Sequence, residues 1–369
     1  MHTNNKQMAN ILITAPWLDE RKTVSGISTV VRTILESKSR NKYYHFRLGK
    51  SDCQKRELKW LADQALVVPR LLYNMLKFDI QLIHLNITFE KQALLRDYIV
   101  FFVVKRLFNK PVLLHIHGGF FLMESFPKGT FFWRLVRSML QGADVNLVLS
   151  DIEKDQISKN YEVRTFSLPN AVMPSQIAVE KDFHNKLILV FLGRVVQSKG
   201  IFLLASALAE LNDFYDQFEL HIYGAGNDLN GFLETLQKIE KLNFKYFGVV
   251  QGKAKVEALS SSHIFLLPSI SSEGLPMALL EAMNTGCVVV VSDDASITSV
   301  VQNEYNGFIA AKGNKEILKN ILLKIFIERG ILEQIGSQAK LTIAERFDIK
   351  NYMIMLQYYI SACNISNGY

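Results

Sequence analysis

The sequence has little cysteine and no long hydrophobic run. Its three cysteines, Cys53, Cys287 and Cys363, are odd in number and far apart, which argues against a disulfide framework and a zinc site and predicts a reducing compartment. The N-terminus MHTNNKQMAN is polar and unlike a signal peptide. The most apolar run, residues 98–104, has seven residues, whereas a bilayer span needs about 20. We therefore expect a cytoplasmic protein without a spanning segment.

Positive charge is concentrated in the first half of the 369 residues. Residues 1–170 contain 25 Lys and Arg against 15 Asp and Glu, whereas the whole chain contains 42 against 35. This asymmetry predicts an anionic partner for the first half, such as nucleic acid or an anionic lipid surface. Because no nucleic-acid recognition motif is present, we favour a peripheral membrane contact.

Two aromatic, basic stretches, residues 98–110 and 120–141, could provide that contact. In the second stretch several apolar residues can share one helix face, with Arg134 and Arg137 along its edges. These apolar residues are Phe131, Phe132, Leu135, Met139 and Leu140. Core packing is the alternative for this face, and the charge asymmetry favours lipid contact.

Short apolar runs alternate with amphipathic stretches along the whole chain. The strand candidates are NILITAP, FDIQLIHLN, PVLLHIHG and DVNLVLS, then LILVFLGR, FELHIYGAG, FKYFGVV, HIFLLPS and CVVVVSD. Helical patterns lie between them, near residues 27–37, 54–76, 91–108 and 130–141 in the first half. This order predicts an α/β fold with two Rossmann-like domains facing a cleft, residues 1–170 and 187–349, joined by a connection at 171–186.

The most informative segment is PSISSEGLPMALLEAMNTGCVVVVSD, residues 268–293. It predicts a strand end, a loop, a short helix and a buried strand. Pro276 suits the first position of that helix, and Gly286 suits its C-terminal end. Gly274 and Leu275 stand where a capping side chain would be expected. Backbone N–H groups there are left free for an anion such as a diphosphate.

Two carboxylates and two cations accompany this predicted anion site. Glu273 precedes the helix, and Glu281 lies inside the helix, eight residues after Glu273. Both carboxylates could accept hydrogen bonds from sugar hydroxyls. In FLGRVVQSKG, Arg194 and Lys199 follow a buried strand, where open α/β sheets bind their ligands. An Arg fork and a Lys point charge can hold a diphosphate. Solvated surface charges are the alternative for all four.

Three weaker signals involve glycine and histidine. Gly224 and Gly226 in IYGAGND begin a dinucleotide fingerprint that lacks its third glycine. Gly26, after the first strand, would permit close approach to a ligand. His115 and His117 lie on one face of a strand candidate, but no third metal ligand is evident. We expect His115 to be buried and His117 to reach the cleft.

In this order and spacing, the segments resemble the retaining glycosyltransferases of family 4, the group 1 class with the GT-B fold. Glu273 and Glu281 match the E-x7-E element of that family, and FLGRVVQSKG matches its GR-x4-KG element. YGAG, FGVV and the NGF at 306–308 match weaker landmarks. The last segment, about 350–369, resembles the closing helix that crosses back onto the N-terminal domain.

The resemblance implies roles for individual residues. Arg194 and Lys199 would hold the donor phosphates, and His117 would contact the sugar in the reaction zone. Glu273 would bind hydroxyls of the transferred sugar, and Glu281 would bind the nucleotide ribose. The remaining donor-binding residues would be Gly26, Gly224, Gly226, Val249, Gly274, Leu275, Pro276 and Met277. The sequence departs from the family pattern at Ser25, Val288, Ser296 and Ser299, which bears on the first phosphate loop and on donor identity.

We therefore predict a retaining glycosyltransferase that moves a hexose from a UDP- or GDP-sugar to a lipid-linked or growing surface glycan, as in polysaccharide, lipopolysaccharide or capsule biosynthesis. No metal or cofactor is expected, because no DxD motif follows a strand. A sugar-nucleotide epimerase of GT-B fold and a non-catalytic nucleotide-sugar-binding protein are the alternatives. An NAD oxidoreductase is disfavoured by the incomplete glycine fingerprint.

Overall fold

The computed structural model describes residues 8–19, 23, 25–49, 58–118, 122, 124–175 and 180–363. The chain divides into two compact units, one formed by Met1–Pro169 with Lys350–Tyr369 and the other by Asn170–Ile349. Each unit contains a six-stranded sheet in which neighbouring strands run parallel. The predicted α/β class is therefore confirmed.

The sheet of the first unit reverses its strand order at β1. Its strands are β1 (Asn10–Ala15), β2 (Lys42–Arg47), β3 (Leu82–Ile87), β4 (Val112–Ile116), β5 (Val145–Val148) and β6 (Phe166–Ser167). Their order is β2-β1-β3-β4-β5-β6. Every residue of β3 and β4 is buried, because helices cover both faces of a parallel sheet. The reversal opens a crevice between β1 and β3, where such sheets bind ligands.

The helices of the first unit include α1 to α6 and the closing helix α14. They are α1 (Gly26–Glu36), α2 (Leu58–Ala65), α3 (Val67–Lys77), α4 (Lys91–Leu107), α5 (Phe131–Gly142), α6 (Asp151–Tyr161) and α14 (Ile349–Ala362). The closing helix packs on this unit, as predicted. The Asn41 amide donates to Gln357 Oε1 at 2.8 Å, and the rings of Phe166 and Tyr359 lie 5.2 Å apart.

The apolar face of α5 is mostly core, which corrects the prediction that it faces lipid. Met139 and Leu140 are buried, and Phe132 and Leu135 are half-buried. They belong to α5, which packs on α4. Only Phe131 of the five predicted residues is exposed. The core packing of an α/β domain therefore accounts for most of this face.

The sheet of the second unit reverses its strand order at β7. Its strands are β7 (Leu187–Leu192), β8 (Phe218–Tyr223), β9 (Phe244–Gly248), β10 (Ile264–Leu267), β11 (Val288–Ser292) and β12 (Phe308–Ala310). They are arranged as β12-β11-β10-β7-β8-β9. The second ligand-binding crevice is thus expected beyond the carboxyl ends of β7 and β10.

The helices of the second unit are α7 (Ile201–Leu208), α8 (Leu229–Gln237), α9 (Gly252–Ser260), α10 (Met277–Asn284), α11 (Ala295–Thr298), α12 (Lys315–Ile327) and α13 (Leu332–Arg346). As predicted, Gly286 follows the end of α10, with φ of +76°. The N–H groups of Gly286 and Cys287 donate to the carbonyls of Met283 and Ala282. This Schellman arrangement favours glycine because its φ is positive.

Several element boundaries differ from the sequence prediction. The structure adds three strands, β2, β6 and β12, of which β6 and β12 have two and three residues. The helix expected over 54–76 forms two described helices, α2 and α3. The stretch 171–186, predicted to connect the domains, lies within the second unit. Its Lys181 ammonium donates to the carbonyls of Leu259 and Ser260 at 2.9 Å. These carbonyls lie at the C-terminal end of α9, where the helix dipole favours a cation.

Candidate functional site

In the second unit, the segments after β7, β8 and β10 are joined by main-chain hydrogen bonds. The N–H groups of Ile270 and Ser271 donate to the Ser198 carbonyl at 3.0 and 3.3 Å. The N–H of Gly193 donates to the Tyr223 carbonyl at 3.1 Å. The three loops at the switch point therefore have a fixed relative arrangement.

Glycine is required where these loops meet. Gly200 has φ of +72°, and a Cβ there would stand 1.8 Å from the Pro268 carbonyl oxygen. A Cβ on Gly224 would stand 1.8 Å from the Gly193 oxygen, and one on Gly226 would stand 2.1 Å from the Val195 oxygen. Packing between loops thus explains the glycines of the partial fingerprint without a dinucleotide.

Lys199 and Glu273, both predicted as site residues, form an ion pair at this crevice. Lys199 Nζ donates to both carboxylate oxygens of Glu273 at 2.6 Å. The side chains are only 15% and 12% exposed, so water screens this pair less than one on the open surface. The Ser269 hydroxyl donates to Glu273 Oε1 at 2.5 Å. The carboxylate is therefore fixed and its charge is balanced by Lys199.

Arg194, the second predicted cation, is exposed after β7. Within the described ranges its guanidinium has no hydrogen-bonding or ionic partner. Unlike Lys199, it offers an unshared positive charge and a planar set of donors that suit a phosphate.

The N-terminus of α10 presents unpaired backbone donors, as predicted. The helix begins at Met277, and Pro276 is the N-cap residue, not the first helical residue as predicted; no side chain caps this end. Among the described residues, no protein acceptor is found for the N–H groups of Gly274, Leu275, Met277 and Ala278. Unpaired N–H groups and the helix dipole favour an anion here.

Glu281, in the second turn of α10, pairs with a lysine that sequence reasoning did not single out. Lys255 Nζ of α9 lies 2.6 Å from Glu281 Oε1, and both side chains are less than one-fifth exposed, at 15% and 18%. Val249, predicted to line the donor site, follows β9 and is exposed. The structure therefore places all the predicted residues of the second unit at or after strand ends or on α10.

The first unit places His117 immediately after β4. His117 is buried, and its Nε2 lies 2.7 Å from Asn86 Oδ1. The His115 ring packs against it with centroids 4.3 Å apart. Burial lowers the pKa of His115 to about 3. The pKa of His117 lies well below its ordinary value, mainly because the ring is buried and also because His115 and His84 lie nearby. His117 is therefore neutral near pH 7.

Gly26 is the first residue of α1, and Ser25 is its N-cap, with the Ser25 hydroxyl oxygen accepting from the Ser28 N–H at 3.5 Å. A Cβ on Gly26 would meet nothing within 4 Å. Packing within the described chain therefore gives no reason for glycine at this position, and its predicted contact with a phosphate stays a prediction.

The second unit matches a known family. Residues 173–342 match the family model described as glycosyl transferases group 1. These residues are a group 1 glycosyltransferase domain.

Proteins that are similar to this chain in sequence are glycosyltransferases as well. An uncharacterized glycosyltransferase of Methanocaldococcus jannaschii is 25% identical over 298 residues, or 76% of this chain and 75% of the relative. The amylovoran biosynthesis glycosyltransferase AmsK of Erwinia amylovora is 31% identical over 38% of this chain and 36% of its own. The Escherichia coli UDP-Gal:alpha-D-GlcNAc-diphosphoundecaprenol alpha-1,3-galactosyltransferase is 25% identical over 45% of this chain and 43% of its own.

Solved structures show that the GT-B fold extends over both units of this chain. Sucrose-phosphate synthase from Thermosynechococcus elongatus has a TM-score of 0.77 at 15% identity, covering 96% of this chain and 98% of its own. Anabaena HepE, solved with UDP-glucose, has a TM-score of 0.72 at 16% identity, covering 96% and 100%. The predicted GT-B architecture is thus confirmed.

The glycosyltransferase domain contains a further buried carboxylate, Asp294, that the sequence analysis did not single out. Asp294 Oδ2 accepts from the Glu273 N–H at 3.1 Å and from Lys312 Nζ, and its Oδ1 caps α11 through the Ala295 N–H. Asp294 therefore fixes the main chain of the Glu273 loop. Its position after β11, next to β10, is the signal that could have identified it.

No group of three or more His, Cys, Asp or Glu in the described part of the chain is arranged to hold a metal ion. Of its described helices, none combines the length and apolar character needed to cross a membrane.

Gly200→Ala should destabilise the protein far more than Gly313→Ala. Both glycines have positive φ, +72° and +74°, but a Cβ on Gly313 would meet nothing within 4 Å. Gly313→Ala should cost about 1 kcal/mol from backbone strain. Gly200→Ala adds a collision with the Pro268 carbonyl and should cost about 3 kcal/mol. Chemical denaturation measures both free energies, and equal costs would contradict the tight contact between the loops.

Proposed function

We propose that this glycosyltransferase moves a sugar from a nucleoside diphosphate sugar to an acceptor hydroxyl with retention of anomeric configuration. The observation that carries the proposal is the Lys199–Glu273 ion pair, which lies beside the uncapped N-terminus of α10 in a crevice flanked by Arg194. Anion-binding donors and a sugar-binding carboxylate are thus brought together at one end of the sheet.

Stabilisation of the leaving diphosphate supplies most of the catalysis in this proposal. Breaking the sugar–phosphate bond builds negative charge on the diphosphate and positive charge on the sugar ring. Arg194, Lys199 and the N–H groups at the start of α10 are preorganised donors for that negative charge. Removing one comparable donor in other enzymes costs about 3–4 kcal/mol of transition-state stabilisation. Because these groups could supply the positive charge themselves, we propose that the reaction needs no metal ion.

The two glutamates bind hydroxyls in this proposal. Glu273 accepts from hydroxyls of the transferred sugar, and Glu281 accepts from the nucleotide ribose. Lys199 and Lys255 hold the two carboxylates in place through ion pairs of 2.6 Å. Val249 and the adjoining main chain lie where the base would bind, after β9.

Same-face attack by the acceptor is the proposed route to retention. The new bond joins the acceptor oxygen to the anomeric carbon, the bond from that carbon to the phosphate oxygen breaks, and the acceptor proton passes to the leaving phosphate. Retaining glycosidases instead use a carboxylate nucleophile. Glu273 is ill suited to that role, because Lys199 and Ser269 already hold both of its oxygens.

The relatives suggest which substrates to test first. HepE was solved with UDP-glucose, and the name of the Escherichia coli relative specifies a UDP-sugar and a lipid diphosphate acceptor. UDP-hexoses are therefore the first donors for this chain, with GDP-sugars next. The proposed acceptor is a lipid-linked or growing surface glycan.

A panel of UDP- and GDP-sugars should identify the donor through thermal stabilisation, because a ligand raises stability by mass action. Turnover of that donor should persist in chelator. Arg194→Ala should lower turnover roughly 100-fold while leaving the melting temperature of the free protein unchanged. Lys253→Ala, at a side chain that is 84% exposed on α9, is the matched control.

Three results would contradict the proposal. A wild-type rate in Arg194→Ala would contradict the proposal that Arg194 binds the diphosphate of the donor. Loss of turnover in chelator, with recovery on addition of Mn²⁺, would contradict the proposal that the reaction needs no metal ion. Formation of an isomeric nucleotide sugar from donor alone, without transfer, would favour an epimerase.

For the membrane contact, we infer a surface on α3 and α4 in place of the face of α5. Leu95, Ile99 and Phe102 of α4 are 42%, 50% and 49% exposed, and their spacing places them on one side of the helix. Tyr73 and Leu76 of α3 are 58% and 75% exposed, and α3 packs on α4. We call these five residues the α3–α4 surface. Apolar patches of this kind mark interaction sites.

Basic side chains lie on the two helices of the α3–α4 surface and on the neighbouring α5. Lys77 lies over the Tyr73 ring at 5.0 Å, and Arg106 of α4 is exposed. Arg134 and Arg137 line a concavity along the neighbouring α5, and neither forms an ion pair with a described residue. Each cation near an anionic leaflet contributes about 1 kcal/mol. This combination supports reversible docking on the inner leaflet, where a lipid-linked acceptor would be found.

Vesicle sedimentation should show binding that requires anionic lipid and weakens as salt rises, since screening shortens the field to about 8 Å at physiological strength. Replacing Ile99 and Phe102 with Ser should weaken binding roughly tenfold or more. Ile327→Ser, at a residue 70% exposed on α12 of the second unit, is the matched control. Equal binding to neutral vesicles, or no effect of the double variant, would contradict this surface.

A further inference from the structure

Side chains replace the β-ladder where β1 and β3 separate in the first unit. The parallel register between these strands extends to the pair Ile13 and His84. Beyond it, the Asn86 N–H donates to Thr14 Oγ1 and the Asn86 amide nitrogen donates to the Thr14 carbonyl, both at 2.8 Å. Asn86 is 6% exposed. It is therefore held at the switch-point crevice by two bonds to one residue.

These bonds determine which way the Asn86 amide faces. The Thr14 carbonyl can only accept, so the amide nitrogen must point toward it and Oδ1 must point away. Oδ1 lies 2.7 Å from His117 Nε2. Because Oδ1 can only accept, the imidazole must carry its proton on Nε2. The neutral ring then has its lone pair on Nδ1, and among the described residues Nδ1 has no partner.

The surroundings keep His117 neutral. The titratable groups that face it are His115 on β4 and His84 on β3, and burial lowers the pKa of both. Thr14 of β1 and Asn86 of β3 carry no charge. No carboxylate or ammonium group among the described residues contributes to the lowered pKa of His117. The ring is thus an acceptor through Nδ1 at the pH at which the enzyme would work.

We propose that Asn86 is a positioning residue that makes His117 a hydrogen-bond acceptor, through Nδ1, for a hydroxyl of the sugar substrate. This rests on the proposed function and on the contact between His117 and the sugar that the family resemblance implies. A sugar hydroxyl that donates to Nδ1 could come from the transferred sugar or from the acceptor glycan. In either case, an imidazole fixed as an acceptor selects a donating hydroxyl over a group that only accepts.

Two substitutions of His117 separate its nitrogens. Asn places its amide where Nδ1 stands, because both are bonded to Cγ, whereas Gln places its amide near Nε2. His117→Asn should therefore keep a hydrogen-bond acceptor for the sugar hydroxyl at the position of Nδ1. His117→Gln should lose that acceptor and keep only the contact with Asn86. We expect turnover of His117→Asn to exceed that of His117→Gln roughly three- to tenfold, the value of one neutral hydrogen bond.

The rates of donor hydrolysis and of transfer, measured for both His117 variants, show which substrate provides the hydroxyl. If the difference between these variants is seen both in donor hydrolysis without acceptor and in transfer, the hydroxyl belongs to the transferred sugar. If it is seen only in transfer, the hydroxyl belongs to the acceptor. Equal rates, or a faster His117→Gln, would overturn the proposal.

Asn86→Asp tests the positioning role through the pH profile. A carboxylate beside Nε2 should raise the pKa of His117, and the protonated ring has no acceptor. The acidic limb of kcat/KM should therefore move to higher pH than in the wild type. Asn146→Asp is the matched control, because Asn146 is also buried, in β5, and donates to the Leu140 carbonyl at 2.9 Å. It should leave the limb in place, whatever it costs in stability.

A measurement that needs no activity separates this proposal from the proposed function. Nitrogen-15 shifts of the His117 ring, assigned by comparison with His117→Gln, report which nitrogen carries the proton. In the wild type we expect Nε2 protonated and Nδ1 bare at neutral pH, and in a folded Asn86→Asp both protonated on the acidic side. A wild-type ring protonated on Nδ1 would overturn the proposal even in an active enzyme. Absence of any transfer with the expected tautomer would instead count against the proposed function.

Discussion

The ion pair between Lys199 and Glu273 joins two segments that are 74 residues apart in the chain. It links the segment after β7 to the loop after β10, at the strand pair where the sheet reverses. Removing one member of a largely buried pair leaves the other uncompensated, at a cost of about 3–5 kcal/mol in buried cases. The arrangement of the crevice, and with it every donor contact in the proposed function, therefore depends on this pair.

The pair also explains a difference between the two cations of the site. Lys199 is largely neutralised by Glu273, whereas Arg194 has no partner among the described residues. In the proposed function, the affinity for a diphosphate would then come mainly from Arg194 and from the start of α10. Lys199 contributes by fixing Glu273, which Ser269 and Asp294 support through its side chain and main chain. In this account Lys199 therefore acts mainly through Glu273, and Arg194 is the main side chain for the diphosphate.

Sequence reasoning located most of the fold and several of the residues that the structure brings together after β7 and β10, because both depend on local patterns. Buried parallel strands are continuous apolar runs, and Glu273, Lys199 and Gly286 occur at fixed distances from such runs. The missed strands lack that signal: β2 lies at the sheet edge with half-exposed polar residues, and β12 is short. The error about α5 has the same cause, since an apolar helix face looks alike whether it meets lipid or a sheet.

Partners distant in sequence could not be predicted. Asn86 lies 31 residues from His117 and 72 residues from Thr14, so only the topology of the first sheet brings the three together. Lys255 and Glu281 meet because α9 and α10 pack side by side. In both cases a predicted residue was identified, but the neighbour that holds it in place or fixes its tautomer was not.

Hydrogen exchange with bound nucleotide tests the central claim most directly. The N–H groups of Gly274, Leu275, Met277 and Ala278 donate to no described protein atom, so they should exchange quickly in the free protein. Saturating UDP or GDP, whichever stabilises the protein, should slow exchange in peptides covering 270–280 and 193–200. Protection confined to other segments, with these two unchanged, would contradict a diphosphate site at the crevice between β7 and β10.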